Sequence, residues 1–282
     1  MSDPEPLPGA QPPDPNDGAP PLESFTEAPI AVAPQRDGAP WGLLDLIFTL
    51  MVVVGSLVFA QVAAMIVIFA FSLAGPGFHA SGMASLLAND ARFLMPVQLV
   101  SDLIVVAFVL IMAHVKYDIS FARSLQWREP FQHAGLFLAL GVGMAVLSQL
   151  VPVLFPTTQH FPIGKLFKNQ LSALVLTVFG VGIAPFFEEM LFRGMVYPAI
   201  ERRWGMEPAI LGSAVLFASI HAPQLAGGLP QIGAIFLVGC ALGYARGRTQ
   251  SLAPSFWMHT SYNAALFAAM AIGTGGFKHF DQ

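Results

Sequence analysis

The chain is poor in charge and in cysteine. Of its 282 residues 11% are charged and 55% are apolar, and the mean hydropathy is +0.65, whereas a soluble domain carries about 25% charged residues. So few charged side chains cannot cover a water-facing surface, which excludes a soluble enzyme and a nucleic-acid-binding protein. The single cysteine, Cys240, excludes an intrachain disulfide and a cysteine metal cluster. The composition predicts an all-α, polytopic membrane protein.

Residues 1–40 have almost no large apolar side chains before Leu22 and little basic charge. They are rich in proline and glycine, and they hold seven Asp or Glu residues against the single Arg36. Such a segment cannot bury enough apolar surface to offset its ordering entropy. We therefore predict a disordered tail over 1–40 and a membrane domain over 41–282. The first residues also lack the basic and apolar regions of a signal peptide.

Apolar runs long enough to cross a bilayer recur from Trp41 onward. A membrane-spanning helix needs about 20 residues, so the sequence predicts a helical bundle of about seven, at most eight, transmembrane helices. The predicted spans are 47–73, 93–115, 133–155, 171–197, 208–225, 230–246 and 251–273. Gly239 and Gly243 form a small-residue stripe, which we expect to pack against another helix of the same chain.

The distribution of Lys and Arg between the spans predicts the orientation. Segments on the side of the N-terminus carry eight such residues and segments on the opposite side carry four. Positive charge concentrates on the cytoplasmic side of membrane proteins. We therefore expect a multi-pass membrane protein with a cytoplasmic N-terminus. The eight residues are Arg36, Lys116, Arg123, Arg128, Arg202, Arg203, Arg246 and Arg248.

Charged side chains inside the spans are the informative exceptions, because each costs at least about 2.5–3.5 kcal/mol at the bilayer centre. Asp45 and Asp102 are single carboxylates that can cap a helix, pair across the bundle or act directly. Glu188, Glu189 and Arg193 lie together in the fourth run. The i,i+4 spacing predicts a Glu189–Arg193 ion pair. Glu188 points about 100° away from Glu189 and needs another partner.

Two later runs supply polar partners at helical spacing. Phe217 and His221 share one helix face, and His259 and Asn263 share another. A rise of about 1.5 Å per residue places Glu188 and His221 at one depth, with Asn263 close below. A structural interpretation, with an ion network, a packed histidine and an asparagine that joins helices, accounts for each motif alone. Their convergence in the membrane favours a functional site.

The three motifs together resemble those of the CAAX-protease and bacteriocin-processing (Abi) family of intramembrane proteases, whose pattern is EExxxR, FxxxH and HxxxN or HxxxD. The resemblance extends over about residues 170–270, and Thr249-Gln250-Ser251 stands where the family often has Thr-Gly-Ser. The matching residues are Glu188, Glu189, Arg193, Phe217, His221, His259 and Asn263.

The resemblance implies an endopeptidase that uses neither a metal nor a cofactor. Glu188 is then the general base that activates water, and His221 positions or shares that proton. His259 and Asn263 stabilise the oxyanion of the tetrahedral intermediate. A buried carboxylate has a raised pKa, which suits a base at neutral pH.

The remaining motif residues have supporting roles in this interpretation: Glu189 and Arg193 orient Glu188 by ion pairing, and Phe217 supports the site. The family acts on peptides or proteins at the membrane, some of them lipidated. We therefore expect such a substrate and membrane lipids as partners, and no nucleic acid. The sequence does not specify an oligomeric state.

Two alternatives remain open at the level of the sequence. In the first, Glu188, His221 and His259 bind zinc, as the His₂Glu set of soluble metalloproteases does. No HExxH motif is present. In the second, the chain is a non-catalytic membrane scaffold or a regulator of a partner protein.

Overall fold

The computed structural model describes residues 38–73, 82, 85, 87, 89–128, 133–157 and 161–278. Within these ranges the chain is helical and contains no β-strand, so the predicted all-α class is confirmed. The predicted disorder of residues 1–37 concerns a segment outside the described residues. The last residues of the predicted tail lie against the helices, since Ala39 is buried and the Pro40 carbonyl accepts a hydrogen bond from Arg202.

Long helices account for most of the described chain. Two short π-helical segments, π1 and π2, interrupt the fourth long helix, and 3₁₀ turns cover Pro162–Leu166 and Ala222–Leu225. The segments in chain order are α1 Leu43–Leu73, α2 Ala91–Tyr117, α3 Phe121–Ser124, α4 Ala134–Ser148, α5 Leu150–Leu154, α6 Gln170–Val178, π1 Phe179–Ile183, α7 Ala184–Leu191, π2 Phe192–Val196, α8 Tyr197–Trp204, α9 Met206–His221, α10 Leu229–Thr249 and α11 Ala253–Gly273.

Six of the seven predicted spans correspond to helices that are long and apolar enough to cross a membrane. They cover Leu43–Phe71, Ala91–Tyr117, Ala134–Leu154, Gln170–Trp204, Met206–Leu225 and Leu229–Thr249. The seventh, predicted over 251–273, forms as the helix α11. It does not reach the same apolar composition, because it carries His259, Asn263 and several hydroxyl side chains. The polytopic bundle is thus confirmed, and the cytoplasmic N-terminus stays a prediction.

The N-terminal helices α1 and α2 pack together, and we call their contact the α1–α2 seam. Asp45 of α1 accepts hydrogen bonds from Gly42 N at 2.7 Å, from Lys116 and from Tyr117. It therefore both caps its own helix and pairs across the bundle. Farther along the seam the Ser56 and Ser101 hydroxyl groups lie 2.8 Å apart.

Glycines set the close helix contacts in the C-terminal half, where α4 packs on α11 and α9 packs on α10. A Cβ at Gly141 would lie 2.0 Å from Ser261 Oγ, so α4 approaches α11 only because this residue has no side chain. A Cβ at Gly239 would lie 3.1 Å from Ala214, and one at Gly243 would lie 3.3 Å from Ile210. The expected packing of the small-residue stripe within the chain is confirmed.

The fourth long helix owes its two π segments to its prolines. Pro185 and Pro198 follow π1 and π2 and stand within the first two residues of α7 and α8. Proline has no N–H, and its ring collides with the carbonyl four residues earlier. A wider π turn in front of each proline accommodates that collision and keeps the helix continuous. The acidic motif lies on α7, between the two π segments.

Candidate active site

The two adjacent glutamates of α7 occupy different environments. Glu189 is completely buried, whereas 25% of the Glu188 side chain is exposed. The difference follows from the 100° rotation between successive helical residues, which turns Glu189 toward the helix packing and Glu188 toward an open side of the bundle. Only the second environment can admit a substrate.

Glu189 is the centre of a buried polar network. Its Oε1 atom accepts a hydrogen bond from Arg193 Nη1 at 2.8 Å, which is the ion pair that the sequence predicts. His259 Nδ1 lies 3.0 Å from the same oxygen. Arg193, also completely buried, donates from Nη2 to the Gly239 carbonyl of α10 at 2.9 Å. Burial of both charges is tolerated because each has partners at hydrogen-bond distance.

Glu188 faces two imidazole rings at longer distances. Its Oε2 atom lies 3.6 Å from His259 Nε2 and 4.0 Å from His221 Nε2. Both distances exceed a direct hydrogen bond, and they fall in the range in which a water molecule bridges two polar groups. The convergence of Glu188 and His221 that the depth argument predicts is confirmed. His259 contacts both carboxylates, one through each ring nitrogen.

Phe217 holds the two histidines and the arginine in place. His221 Nδ1 lies 2.7 Å from the Phe217 carbonyl, which can only accept, so Nδ1 carries the proton and Nε2 is left to face Glu188. The Phe217 ring lies edge-to-face with His259 at 5.6 Å. Arg193 Cζ lies 4.6 Å from the ring centroid, a cation–π distance.

Asn263 lies against π1. Its Nδ2 atom donates to the Gly180 carbonyl at 2.7 Å. In a π turn this carbonyl pairs with the N–H five residues later, but that residue is Pro185, which has none. The Asn263 side chain supplies the missing donor, and one of the two N–H bonds of its amide is used in this way.

The contacts place Glu189 and Arg193 differently from the sequence-based expectation. The resemblance implies that both residues orient Glu188. In the structure Arg193 donates to Glu189, and Glu189 contacts His259. Sequence reasoning missed the two π segments and the carbonyl partners Gly180 and Gly239. These are backbone features, and no side chain at those positions indicates them. The only visible hint of the π segments is a proline close after each one.

Arg246 is a further difference. The sequence counts it among the charges on the cytoplasmic side, at the end of the span predicted over 230–246. The structure continues α10 to Thr249 and buries Arg246 completely. Its guanidinium lies against π2 and Gln126, so it belongs to the protein interior.

Asp102, the carboxylate inside the second predicted span, accepts a hydrogen bond from Gln98 Nε2 at 2.8 Å on its own helix.

Among the residues that the structure describes, no group of three or more His, Cys, Asp or Glu side chains has the geometry to hold a metal ion.

The segment that carries these residues is similar to a known protein family. Residues 170–265 match the model of the Rce1-like family, described as type II CAAX prenyl endopeptidase Rce1-like. No curated protein and no solved structure matches the chain. The matched segment contains all three motifs, from Glu188 to Asn263. Residues 170–265 are therefore similar to the Rce1-like type II CAAX prenyl endopeptidases, a family of membrane endopeptidases.

Proposed function

We propose that the chain is an intramembrane endopeptidase in which Glu188 activates the water that attacks the scissile peptide bond. One observation carries the proposal: the Nε2 atoms of His221 and His259 converge on Glu188 Oε2 at 4.0 and 3.6 Å. A carboxylate with two imidazoles at these distances can hold one water between them. The partial exposure of Glu188 lets a peptide reach that water.

The attack transfers a proton from water to Glu188. The water oxygen forms a bond to the carbonyl carbon, the carbonyl oxygen becomes an oxyanion, and Glu188 Oε2 takes the proton. His221 orients the water: its Nδ1–H is fixed on the Phe217 carbonyl, so its Nε2 lone pair accepts the second hydrogen of the water. When the tetrahedral intermediate collapses, Glu188 returns its proton to the leaving amine nitrogen as the C–N bond breaks.

The oxyanion needs donors where its charge develops. His259 is one donor if its ring carries both protons, since Nδ1–H is then held by Glu189 and Nε2–H is available beside Glu188. Asn263 is the second, through the amide N–H that Gly180 does not use. The buried Glu189–Arg193 pair orients the His259 ring, as the carboxylate does in a catalytic triad.

The substrate that fits this site is a protein or peptide held at the membrane, including a lipidated one. Side chains of α7 and α11 together with Trp127 form a cluster of partly buried aromatic rings, which we call the aromatic cluster. Its rings contact one another with centroids 5.1–6.5 Å apart, and such a surface accepts an apolar chain. The members are Trp127, Phe186, Phe187, Phe256 and Trp257.

The test uses the full chain purified in detergent and a quenched fluorescent peptide that ends in farnesylated Cys-Val-Ile-Met. The same peptide without the farnesyl group and a mixed peptide library are run in parallel. Glu188→Gln keeps the side-chain volume and removes the base. Glu207→Gln makes the same change at an exposed position of α9 and is the matched control. Each protein is assayed with and without a strong chelator.

We expect the wild type and Glu207→Gln to cleave and Glu188→Gln to lose cleavage while it stays folded. Full turnover by Glu188→Gln would overturn the assignment of the base. Loss of wild-type activity with the chelator would instead favour zinc at Glu188, His221 and His259. If the wild type cleaves none of the probes, the proposed activity is overturned and a scaffold is favoured. The ratio of the cleavage rates of the farnesylated and the unfarnesylated peptide measures how much the lipid contributes to recognition.

A further inference from the structure

Arg246 is a completely buried charge that the proposed mechanism does not use. It lies on α10, and its Nε atom donates to the Arg193 carbonyl at 3.1 Å. Its guanidinium also donates to the Gln126 side chain, and Cζ lies 5.6 Å from the centroid of the Tyr197 ring. A charge inside a membrane domain is costly and usually functional, so its contacts indicate what it is retained for.

The backbone around Arg193 explains why a donor is needed there. In π2 the Tyr197 N–H donates to the Phe192 carbonyl, five residues earlier. The next donor in that pattern, for the Arg193 carbonyl, would be residue 198, and Pro198 has no N–H. The Arg193 carbonyl is therefore without a backbone donor in its own helix. A buried carbonyl without a donor costs free energy, and Arg246 Nε supplies the bond.

The same arrangement occurs at the other π segment. In π1 the Ala184 N–H donates to the Phe179 carbonyl, Pro185 removes the donor for Gly180, and Asn263 replaces it. The helix that carries the two glutamates is thus held at both ends by side chains from other helices. Asn263 belongs to a recognised motif, whereas Arg246 does not.

We propose that Arg246 is a positioning residue for the peptidase reaction. By binding the Arg193 carbonyl it fixes the backbone from which the Arg193 guanidinium reaches Glu189. Glu189 in turn holds His259 Nδ1, which aims Nε2 at the reacting centre. Arg246 acts through this path and does not touch the substrate. The inference rests on the proposed function.

The test compares four full-length variants. Arg246→Met removes the donor, and Arg246→Lys keeps a single donor. Arg248→Met changes an exposed arginine two residues along the same helix and is the matched control. In the double variant Arg246→Met with Pro198→Ala, residue 198 regains a backbone N–H that can pair with the Arg193 carbonyl. Cleavage of the farnesylated peptide gives kcat and KM, and the ¹⁵N imidazole signals of His259, assigned with His259→Gln, give a readout that needs no substrate.

We expect Arg246→Met to lower kcat by about 10- to 100-fold with KM unchanged, because a displacement of about 1 Å in an active site costs up to about 10²-fold. Its His259 signals should shift. Arg246→Lys should fall in between, the double variant should recover both kcat and the signals, and Arg248→Met should match the wild type.

Unchanged kcat and unchanged His259 signals in Arg246→Met would overturn the proposal, and so would a double variant with no recovery. If Arg246→Met folds poorly, recovery in the double variant still reports on the same carbonyl. If the wild type cleaves nothing, the peptidase assignment fails, while the His259 signals still show whether Arg246 positions the ring.

Discussion

The α1–α2 seam and the candidate active site handle polar groups inside the membrane domain in opposite ways. In the seam these polar groups have direct hydrogen-bond partners. Asp45 accepts from Gly42, Lys116 and Tyr117, and the Ser56 and Ser101 hydroxyl groups bond to each other. In the active site Glu188 has both imidazoles beyond direct hydrogen-bond distance. Satisfied pairs stabilise a bundle, whereas a carboxylate held open between two imidazole rings is ready to bind a reactant.

The two regions also differ in how their ion pairs are buried. Lys116, in the seam, leaves 52% of its side chain exposed while Asp45 is buried, so solvent reaches only the lysine side of this pair. Arg193 and Glu189 have no exposed surface. An exposed ion pair adds little stability, but removal of one partner from a buried pair leaves an uncompensated charge. The predictions below test this contrast.

The largest effect is expected from Arg193→Met. It leaves the buried Glu189 carboxylate without its arginine partner and should destabilise the protein by about 3–5 kcal/mol. The matched change in the seam, Lys116→Met, should cost less, because Asp45 keeps its hydrogen bonds from Gly42 and Tyr117. Thermal unfolding in detergent, together with folded yield, measures both. Equal losses in the two variants would remove the distinction between the regions.

His259→Gln should cost activity rather than stability. The loss of an oxyanion donor lowers kcat by about 10²–10³-fold, and the glutamine retains a polar side chain of similar reach. Tyr117→Phe, which removes one hydrogen bond from the seam, should leave kcat unchanged. Steady-state kinetics with the farnesylated peptide separate the two. An effect of His259→Gln on KM alone would contradict the oxyanion role.

A smaller, pH-dependent effect is expected at Asp90, where the start of α2 meets α6. Asp90 caps α2, and Ser172 Oγ of α6 donates to it at 2.9 Å. Its hydrogen bond to Arg92 is the main cause that lowers the pKa of Asp90 to about 2 from 3.8. A carboxyl with a lowered pKa adds stability that is complete above the unfolded pKa and is lost as the pH falls through the folded one.

The wild type should therefore lose this contribution between about pH 4 and pH 2, and Asp90→Asn should lack it throughout. The measurement is the unfolding midpoint of both proteins as a function of pH. The difference between them should shrink toward the acid end of that window. A difference that does not depend on pH would show that the carboxylate charge contributes nothing there.

The smallest effect concerns Gln250, which stands where the family often has glycine. It adopts φ +50°, in the left-handed region, and its side chain donates to the Gly247 carbonyl at 2.8 Å and to Glu201 at 3.2 Å. Gln250→Ala and Gln250→Gly both lose these bonds, but only glycine also relieves the backbone. Glycine should be more stable than alanine by about 1 kcal/mol, as measured by thermal unfolding. The reverse order would mean that no strain exists at this turn.

Much of the site could be predicted because helical periodicity relates the spacing of residues in the sequence to the helix face on which they lie. The i,i+4 spacing of Glu189 and Arg193 predicts their ion pair, and the equal depth of Glu188 and His221 predicts their approach; both contacts are present. The connection of Glu189 to His259 could not be predicted in this way. It depends on how α7 and α11 are rotated against each other, which no spacing within one helix specifies.

The sequence by itself determined that this is an all-α membrane bundle and which polar residues share a helix face, because low charge, long apolar runs and i,i+4 motifs act within single segments. Only the tertiary structure decided that Arg246 is an interior residue and that His259 joins both carboxylates. The physical reason is the same in each case. A buried donor costs free energy unless it reaches an acceptor, and which acceptor lies within hydrogen-bond distance is set by helices far apart in sequence.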